Sequence, residues 1–452
     1  MCPCWCLVMA NRESVLHVPA EWRRGDMGSL GWVTSALFAG SAVVLMILWL
    51  PRVATLGKNI PSNELSKDYL TAVLWAAILM LVLLAWPLPS KEKKILLLIW
   101  FLKCFVTLFL MLFYEAHYWD LDAYEYFSSA LGKTAPGIGF LGDGTQTVSW
   151  LAWAQTRFLP VSYHALKVTW SAVGLAAIFT FYRAASIYLH RPAYGLLCFL
   201  GMLPSILFWS SILGKDPLCL FGIALYVYGV IAWYQSAVKK HLFLVVLGLL
   251  IVAAIRTWLA PALILPACVL LLRSSHITTK AKVWGSTLFL LLFAVAFFSL
   301  EARFAIRHFD EALGEADAIS RSWSVGGSAQ EMPTHIDSIA GLARFLPIGM
   351  FTALFRPLPG DVPGLFGLLA GLENLGLLAV VVAGLLRIRR RDLADAILVW
   401  AFLLIVCWAS EYAIVSYQNL GSAVRFKLQI LPILLAFALR LLFRKKTQER
   451  LA

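Results

Sequence analysis

Acidic and aromatic side chains are concentrated in residues 115–127, directly after an apolar run that ends at Tyr114. Only 14% of the residues in the whole chain are charged, yet this segment holds four acidic ones. They are Glu115, Asp120, Asp122 and Glu125. Acidic groups are costly to place beside a membrane-spanning helix, so their presence calls for an explanation. Carboxylates among aromatic rings suit general-base catalysis, metal binding or contact with a sugar.

The spacing of these side chains favours a helix that presents them together. Asp122 and Tyr126 would share one helical face, and Asp120 would lie on a neighbouring face. The alternative interpretation is an interfacial helix whose aromatic rings lie at headgroup depth and whose acidic groups face water. Both interpretations place the segment at the mouth of a membrane protein.

The composition of the chain predicts its structural class. Hydrophobic residues make up 61% of the sequence, and the mean hydropathy is +0.79. Apolar runs long enough to cross a bilayer recur, which predicts an all-α, polytopic transmembrane helical bundle with about twelve spans. We predict these spans near residues 30–50, 69–87, 95–114, 162–182, 194–213, 217–236, 242–255, 257–272, 283–300, 363–386, 394–410 and 424–443.

The predicted organisation follows the alternation of apolar runs and polar loops. Its parts are a cytoplasmic N-terminal extension (1–29), a three-helix membrane part (30–114), an external acidic catalytic loop (115–161), central transmembrane helices (162–300), an external loop with a re-entrant or interfacial segment (301–362), C-terminal transmembrane helices (363–443) and a basic cytoplasmic tail (444–452). The extension carries Cys2, Cys4 and Cys6, which could bind a metal or be lipidated; the interpretation that we favour is a dispensable extension, with Met27 as an alternative start.

The net charge of +13 is distributed unevenly. With both termini in the cytoplasm, the cytoplasmic segments carry a net charge of +15 and the rest of the chain carries −2. The preference of Lys and Arg for the cytoplasmic side explains the short basic clusters at the ends of apolar runs. Nucleic acid is therefore not expected as a partner. The loops 115–161 and 301–362 are expected on the periplasmic or extracellular side of the inner (plasma) membrane.

Some basic residues fall on the predicted external side, where they are candidate ligands for a phosphate. Lys215 and Asp216 open one span, so the aspartate could fix the lysine in place; a self-neutralising pair at a helix start is the alternative. Arg256 interrupts an apolar run, where it either binds an anion or snorkels to the interface. Its position between the 242–255 and 257–272 spans, close to Pro261, predicts a broken or hairpin pair.

Four further basic residues have the same external placement. Arg344 and Arg356 lie in the apolar, proline-punctuated segment 341–359, which fits a re-entrant or interfacial helix. Arg425 and Lys427 lie at the outer end of the last predicted span, where the topological bias disfavours positive charge, so we favour anion binding there.

Two charged residues fall near the middle of predicted spans. Lys103 lies in the third span and Glu373 in the tenth, at similar depth. We predict that they pair with each other. The alternative is that each lines an aqueous cavity separately.

Several short motifs give the chain a resemblance to known membrane proteins. Asp122-x-x-x-Tyr126-x-x-x-Ala130 resembles the first external loop of GT-C-fold glycosyltransferases, which use polyprenyl-phosphate sugars. The segments Pro-Ser…Trp-Ser-Ser…Lys-Asp (204–216), Phe-Arg-Pro-Leu-Pro (355–359) and Asn-Leu-Gly…Arg-Phe-Lys…Pro (419–432) resemble membrane proteins of bacterial surface-polysaccharide assembly. The resemblance extends over most of the chain from residue 115 onward.

This resemblance implies a GT-C-like glycosyltransferase that is embedded in membrane lipid. Its substrates would be a polyprenyl-linked sugar donor and a glycan or lipid acceptor, and the configuration of the sugar would be inverted. Asp122 would be the catalytic base, and Asp120 its helper or a metal ligand beside it. No cofactor is implied other than a possible divalent cation, Mg²⁺ or Mn²⁺, at these two aspartates. The candidate substrate-binding residues are Lys215, Asp216, Arg256, Arg344, Arg356, Arg425, Lys427, Tyr126 and His117.

Other functions remain open from the sequence. An O-antigen-type polysaccharide polymerase has more spans before its functional loops, as this chain does. A secondary transporter of a lipid-linked or anionic substrate would also have about twelve spans, although two related halves would be expected and no repeat is visible. A scaffolding membrane protein would not need unusual polar residues on one side of the membrane.

Overall fold

A computed structural model of the chain describes residues 48–137, 143–273 and 338–443, together with residues 40, 41 and 44 and short pieces between 278 and 330. Within these residues the chain is helical, and β pairing is limited to an isolated bridge between Ala329 and Asn419. In chain order the helices are α1 (Leu50–Leu56), α2 (Leu65–Ala85), α3 (Ser90–His117), α4 (Asp122–Ala130), α5 (Gly144–Phe158), α6 (Tyr163–Tyr188), α7 (Tyr194–Met202), α8 (Pro204–Trp209), α9 (Lys215–Ser236), α10 (Lys240–Ile255), α11 (Leu259–Arg273), α12 (Ile339–Phe355), α13 (Gly364–Leu385), α14 (Ala396–Gln418), α15 (Leu420–Lys427) and α16 (Leu431–Leu442).

Six of the described helices are long and apolar enough to cross a membrane, namely α2, α3, α6, α9, α13 and α14. A seventh crossing results if α15 and α16, which meet at a bend of 68°, form one span. Helices α10, α11 and α12 are apolar but shorter. The predicted helical class is confirmed, whereas the predicted number of about twelve spans is not reached in the described part of the chain.

Several predicted spans differ from the structure. The predicted span 194–213 is wrong, because α7 ends at Met202 and α8 begins at Pro204. Leu203 is extended, as expected for a residue that precedes a proline. The predicted break at Arg256 is confirmed, since α10 ends at Ile255 and α11 begins at Leu259. The predicted spans 30–50 and 283–300 lie largely outside the described residues.

Helices α9 and α10 form an antiparallel pair in backbone contact. A Cβ atom added to Gly248 would lie 2.5 Å from the carbonyl oxygen of Gly222 and 2.5 Å from the amide nitrogen of Tyr226. Trp170 of α6 donates a hydrogen bond of 3.0 Å to the carbonyl of Gly214, just before α9. This packing fixes the first residue of α9 next to the last residue of α10.

Two amphipathic helices, α4 and α5, lie across this end of the bundle. Asp143 caps α5 by accepting hydrogen bonds from the amides of Thr145 and Gln146. Gly144 approaches α10 so closely that an added Cβ would lie 2.2 Å from the carbonyl oxygen of Ile255. The Thr147 hydroxyl donates to the carbonyl of Ala254 at 3.1 Å. We call this region, formed by α4, α5 and the helix ends that they contact, the α4–α5 end.

Helix α12 runs along α14 and ends inside the bundle. The Phe345 and Tyr417 rings lie 5.3 Å apart, and the Ser410 hydroxyl contacts the Met350 sulfur at 3.6 Å. The chain then turns back and follows the first turns of α13, where the Asn374 amide donates to the carbonyl of Pro357 at 2.8 Å. The chain enters α13 at Gly364, whose positive φ of 87° favours glycine. The segment 339–363 therefore has the shape of a re-entrant hairpin.

Candidate functional site

Asp216 lies in the first turn of α9 and has two cationic partners. Its Oδ1 is 2.7 Å from Nη2 of Arg256, and its Oδ2 is 2.5 Å from Nε of Arg425. The Asp216 side chain is 0% exposed. A buried charge is tolerated only when it is paired and hydrogen-bonded, and here each carboxylate oxygen has its own arginine. Asp216 thus joins the break after α10 to helix α15.

Arg256 is enclosed by protein. Its side chain is 3% exposed, and its guanidinium carbon lies 4.3 Å from the centre of the Phe426 ring. Snorkelling is therefore wrong for this residue, because its charge is satisfied by Asp216 inside the bundle. Since Arg256 is buried behind Asp216, it positions the aspartate and does not face the outside.

Arg425 faces both the interior and the outside. Asp216 holds its Nε, and its guanidinium lies over the Trp209 ring at 5.6 Å. Its side chain is 24% exposed, and its Nη2 lies 3.5 Å from Oδ2 of Asp122. An arginine fork fixed at Nε still presents its two Nη groups, which is the geometry that binds a phosphate with two hydrogen bonds.

Asp122 is the accessible carboxylate of the site. It is the first residue of α4, and its side chain is 59% exposed. The distance of 3.5 Å to Arg425 is long for a charge-assisted hydrogen bond, so the contact is weak. Tyr126 lies one turn later and is buried, and this burial raises the pKa of its hydroxyl, which stays neutral. Asp122 and Tyr126 are four residues apart in this helix, which is consistent with the prediction that they share one face.

Asp120 lies outside that helix. It is exposed and precedes the first residue of α4, so the predicted placement of Asp120 on a neighbouring helical face is wrong. The extended backbone of Leu121 separates the two aspartates. His117, the last residue of α3, is also exposed, and its ring lies 4.9 Å from that of Tyr118.

Lys215 is a second cation near Asp122. It is half-buried at the start of α9, where the neighbouring charges are Arg256 and Arg425 as well as Asp122 and Asp143. The prediction that Asp216 fixes Lys215 is wrong, because both oxygens of Asp216 are taken by arginines. Lys215 therefore lies among cations and carboxylates at the α4–α5 end, and Asp216 is not its partner.

The other predicted phosphate ligands belong to a different part of the structure. Lys427 is 2% exposed, and its Nζ donates to Asn374 at 2.6 Å and to the carbonyl of Arg356 at 3.2 Å. Arg356 binds Asp361 at 2.8 Å, a hydrogen bond that lowers the pKa of that carboxyl and keeps it ionised. Arg344 is exposed on α12. None of the hydrogen bonds found among the described residues joins these three cations to Asp122 or Asp216.

The predicted pair of Lys103 and Glu373 is wrong. The Lys103 ammonium donates to the hydroxyls of Ser210 and Ser211 at 2.7 and 2.8 Å. Glu373 accepts hydrogen bonds from the amide and hydroxyl of Ser205. Both charged residues thus form hydrogen bonds with the segment 204–211. The sequence analysis did not predict that this segment breaks away from α7 as a short helix.

The sequence analysis did not predict that two acidic residues are buried and stabilise the packing of the helices. Glu115 forms an ion pair of 2.6 Å with Lys167 of α6, so grouping it with the external acids is wrong. Asp68 caps the start of α6 by accepting from the amides of Tyr163 and His164 at 2.7 and 3.0 Å. The signal for the first pair was Lys167, a basic residue inside the predicted span 162–182.

No protein-family model, curated protein or solved structure matches this chain. Among the described residues, no three His, Cys, Asp or Glu side chains converge on a point that could hold a metal ion. The described ion pair of Asp122 is with the Arg425 guanidinium, at 3.5 Å. The site as it stands combines an anion-binding fork with an exposed proton acceptor, which suits transfer of a group from a phosphate to a hydroxyl.

Proposed function

We propose that the protein is a GT-C-like integral membrane glycosyltransferase. It transfers a sugar from a polyprenyl-(di)phosphate-linked donor to the hydroxyl of a glycan or lipid acceptor, in the assembly of a cell-surface polysaccharide or glycoconjugate. The observation that carries this proposal is the placement of the exposed Asp122 carboxylate 3.5 Å from Arg425, an arginine that is itself fixed by the buried Asp216. The proposed phosphate-binding arginine and the proposed proton acceptor therefore lie side by side at one end of the helical bundle.

The charge distribution supports an external position for the site. The end of the bundle opposite to α4 and α5 carries a set of twelve basic residues at or beside the helix ends. They are Lys91, Lys93, Lys94, Arg183, Arg191, Lys239, Lys240, Arg387, Arg389, Arg390, Arg391 and Arg440. Because Lys and Arg accumulate on the cytoplasmic side, the α4–α5 end then faces the periplasm or cell exterior. Both termini lie in the cytoplasm in this arrangement.

The proposed reaction forms one bond and breaks another. The acceptor oxygen bonds to the anomeric carbon of the donor while the bond from that carbon to the phosphate oxygen breaks. The electron pair of the broken bond stays on the phosphate, whose charge Arg425 and Lys215 stabilise. Asp122 accepts the proton of the acceptor hydroxyl and later releases it to water. Attack opposite to the leaving phosphate inverts the configuration of the sugar.

The first test is transfer activity of the purified protein in lipid nanodiscs. A polyprenyl phosphate that carries one hexose serves as donor, and a panel of glycans serves as acceptors. Asp122→Asn should lower turnover by about 10²–10⁴-fold because it keeps the size of the side chain and removes the base. Asp120→Asn should cost less, since Asp120 lies outside α4.

Near-normal turnover of the Asp122→Asn protein would show that Asp122 is not the base. Loss of activity in the Asp120→Asn protein alone would assign the role to Asp120. Arg425→Gln should weaken donor binding, and unchanged affinity would remove Arg425 from the proposed phosphate site.

A further inference from the structure

Arg425 is shared by two carboxylates that hold it with different strength. Asp216 is 0% exposed, lies 2.5 Å from Nε and is anchored on its far side by Arg256. Asp122 is 59% exposed and lies 3.5 Å from Nη2. An exposed ion pair at that distance contributes little, whereas the buried one cannot be broken without leaving charges unpaired. Of the two contacts, the one to Asp122 is therefore the one that a ligand can replace.

The hydrogen-bond donors of Arg425 that Asp216 does not occupy can serve a single incoming anion. Its Nε is occupied by Asp216, and one face of its guanidinium lies against the Trp209 ring. Among the described residues, the donors that remain are the two Nη groups, and Nη2 already points toward Asp122. An anion that binds both Nη groups therefore uses the same donor as Asp122.

We propose that the phosphate of the donor takes the place of Asp122 on Arg425, and that this exchange frees Asp122 to accept the proton of the acceptor. This inference rests on the proposed function. In the free protein the carboxylate is engaged by a cation. After the exchange Arg425 no longer holds the carboxylate, so its oxygens are available to the acceptor hydroxyl. The donor thus binds first and frees the base.

The exchange has an unusual consequence for the Asp122→Asn protein. Removal of the competing carboxylate should tighten binding of the phosphate, while removal of the base lowers turnover. Loss of one exposed competing ion pair corresponds to an increase in affinity of about two- to fivefold. A residue that only supported the fold or bound the donor directly would weaken binding when substituted.

The test is equilibrium binding of a short-chain prenyl monophosphate to the full-length protein in nanodiscs, measured by calorimetry at fixed ionic strength. The Asp122→Asn protein should bind this ligand more tightly than wild type. The matched control is Glu125→Gln, which removes another exposed carboxylate of the same helix. Its affinity should remain unchanged. The prenyl alcohol of equal chain length should show no difference among the three proteins.

Equal or weaker binding by the Asp122→Asn protein would overturn the exchange. An equal gain in the Glu125→Gln protein would also overturn it, since the effect would then be general electrostatics. These failures differ from failure of the proposed function. If wild type transfers sugar but Asp122→Asn binds no more tightly, the exchange alone is wrong. If wild type neither transfers sugar nor prefers the phosphate over the alcohol, the proposed function is wrong as well.

Discussion

At the scale of single residues, Asp216 is the group whose loss should be most costly. It neutralises Arg256, which is 3% exposed, and it fixes Arg425. Asp216→Leu should therefore lower the free energy of unfolding by roughly 3–5 kcal/mol, because a buried arginine is left without its anion. Chemical unfolding in detergent micelles, followed by tryptophan fluorescence, measures this loss.

The control for that substitution is the double variant Asp216→Leu with Arg256→Leu. Removal of both buried charges should recover much of the lost stability, while donor binding through Arg425 stays impaired. If the two single losses simply add, the ion pair does not stabilise the fold.

The sequence identified most of these residues but not their partners. Arg425 and Arg256 were notable because positive charge was unexpected at their positions. Asp216 was assigned to its neighbour Lys215, whereas it pairs with residues 40 and 209 positions away. A single sequence shows which charges need a partner, but the partner is decided by the packing of distant helices.

At the scale of the helices, the approach of α5 to α10 should tolerate no side chain at residue 144. A Cβ at that position would lie 2.2 Å from the Ile255 carbonyl oxygen, and a backbone atom cannot move aside as a flexible side chain can. Gly144→Ala should therefore displace α5, reduce stability by about 1–3 kcal/mol and impair donor binding at Arg425, whose partner Asp216 is held by Arg256 next to Ile255. Thermal unfolding and calorimetric binding of the prenyl phosphate measure the two effects.

Gly195→Ala is the matched control for this prediction. Gly195 lies in helix α7, and no atom lies within 4 Å of an added Cβ. Alanine there should leave binding unchanged and stabilise the helix by about 0.4–1 kcal/mol. Similar behaviour of the two variants would mean that α5 is not pressed against α10.

The helices that were predicted well are the long apolar ones. Helix α13 was expected at 363–386 and runs from Gly364 to Leu385. Prediction failed where proline interrupts an apolar run without changing its hydropathy. Pro432 lies at the start of α16, where the expected single span 424–443 instead bends by 68°. Proline lacks the amide hydrogen and clashes with the preceding turn, which a hydropathy average does not detect.

At the scale of the whole molecule, the uneven charge distribution predicts which end faces the cell exterior. Ser128 is exposed on α4, and Lys239 is exposed at the opposite end of the bundle. In a protein whose Cys2, Cys4 and Cys6 are replaced by serine, Ser128→Cys should react with a membrane-impermeant maleimide in intact cells. Lys239→Cys should react only after lysis. The reverse pattern would place the site in the cytoplasm and contradict an external donor.

The sequence assigned several residues to one side of the membrane without predicting how the helices around them pack. Charge bias groups residues by side of the membrane, so Asp122, Lys215 and Arg425 were all assigned to one side, and the structure brings them together at one end. Lys427 was assigned to the same side, but it turns inward to Asn374. Side-chain direction depends on which helix lies next to it, and no local pattern encodes that.

The glycine contact between α9 and α10 also bears on how these helices move. Amide hydrogens along the Gly222–Gly248 contact are shielded by a neighbouring backbone, so their exchange with deuterium should require the two helices to separate. Asp216 lies at the start of α9, and Arg256 directly follows the end of α10. Because the two helices touch through their backbones, the distance between Asp216 and Arg256 does not depend on the rotamers of the surrounding side chains. Slow, correlated deuterium uptake along both helices would report a single cooperative unit that moves as one body.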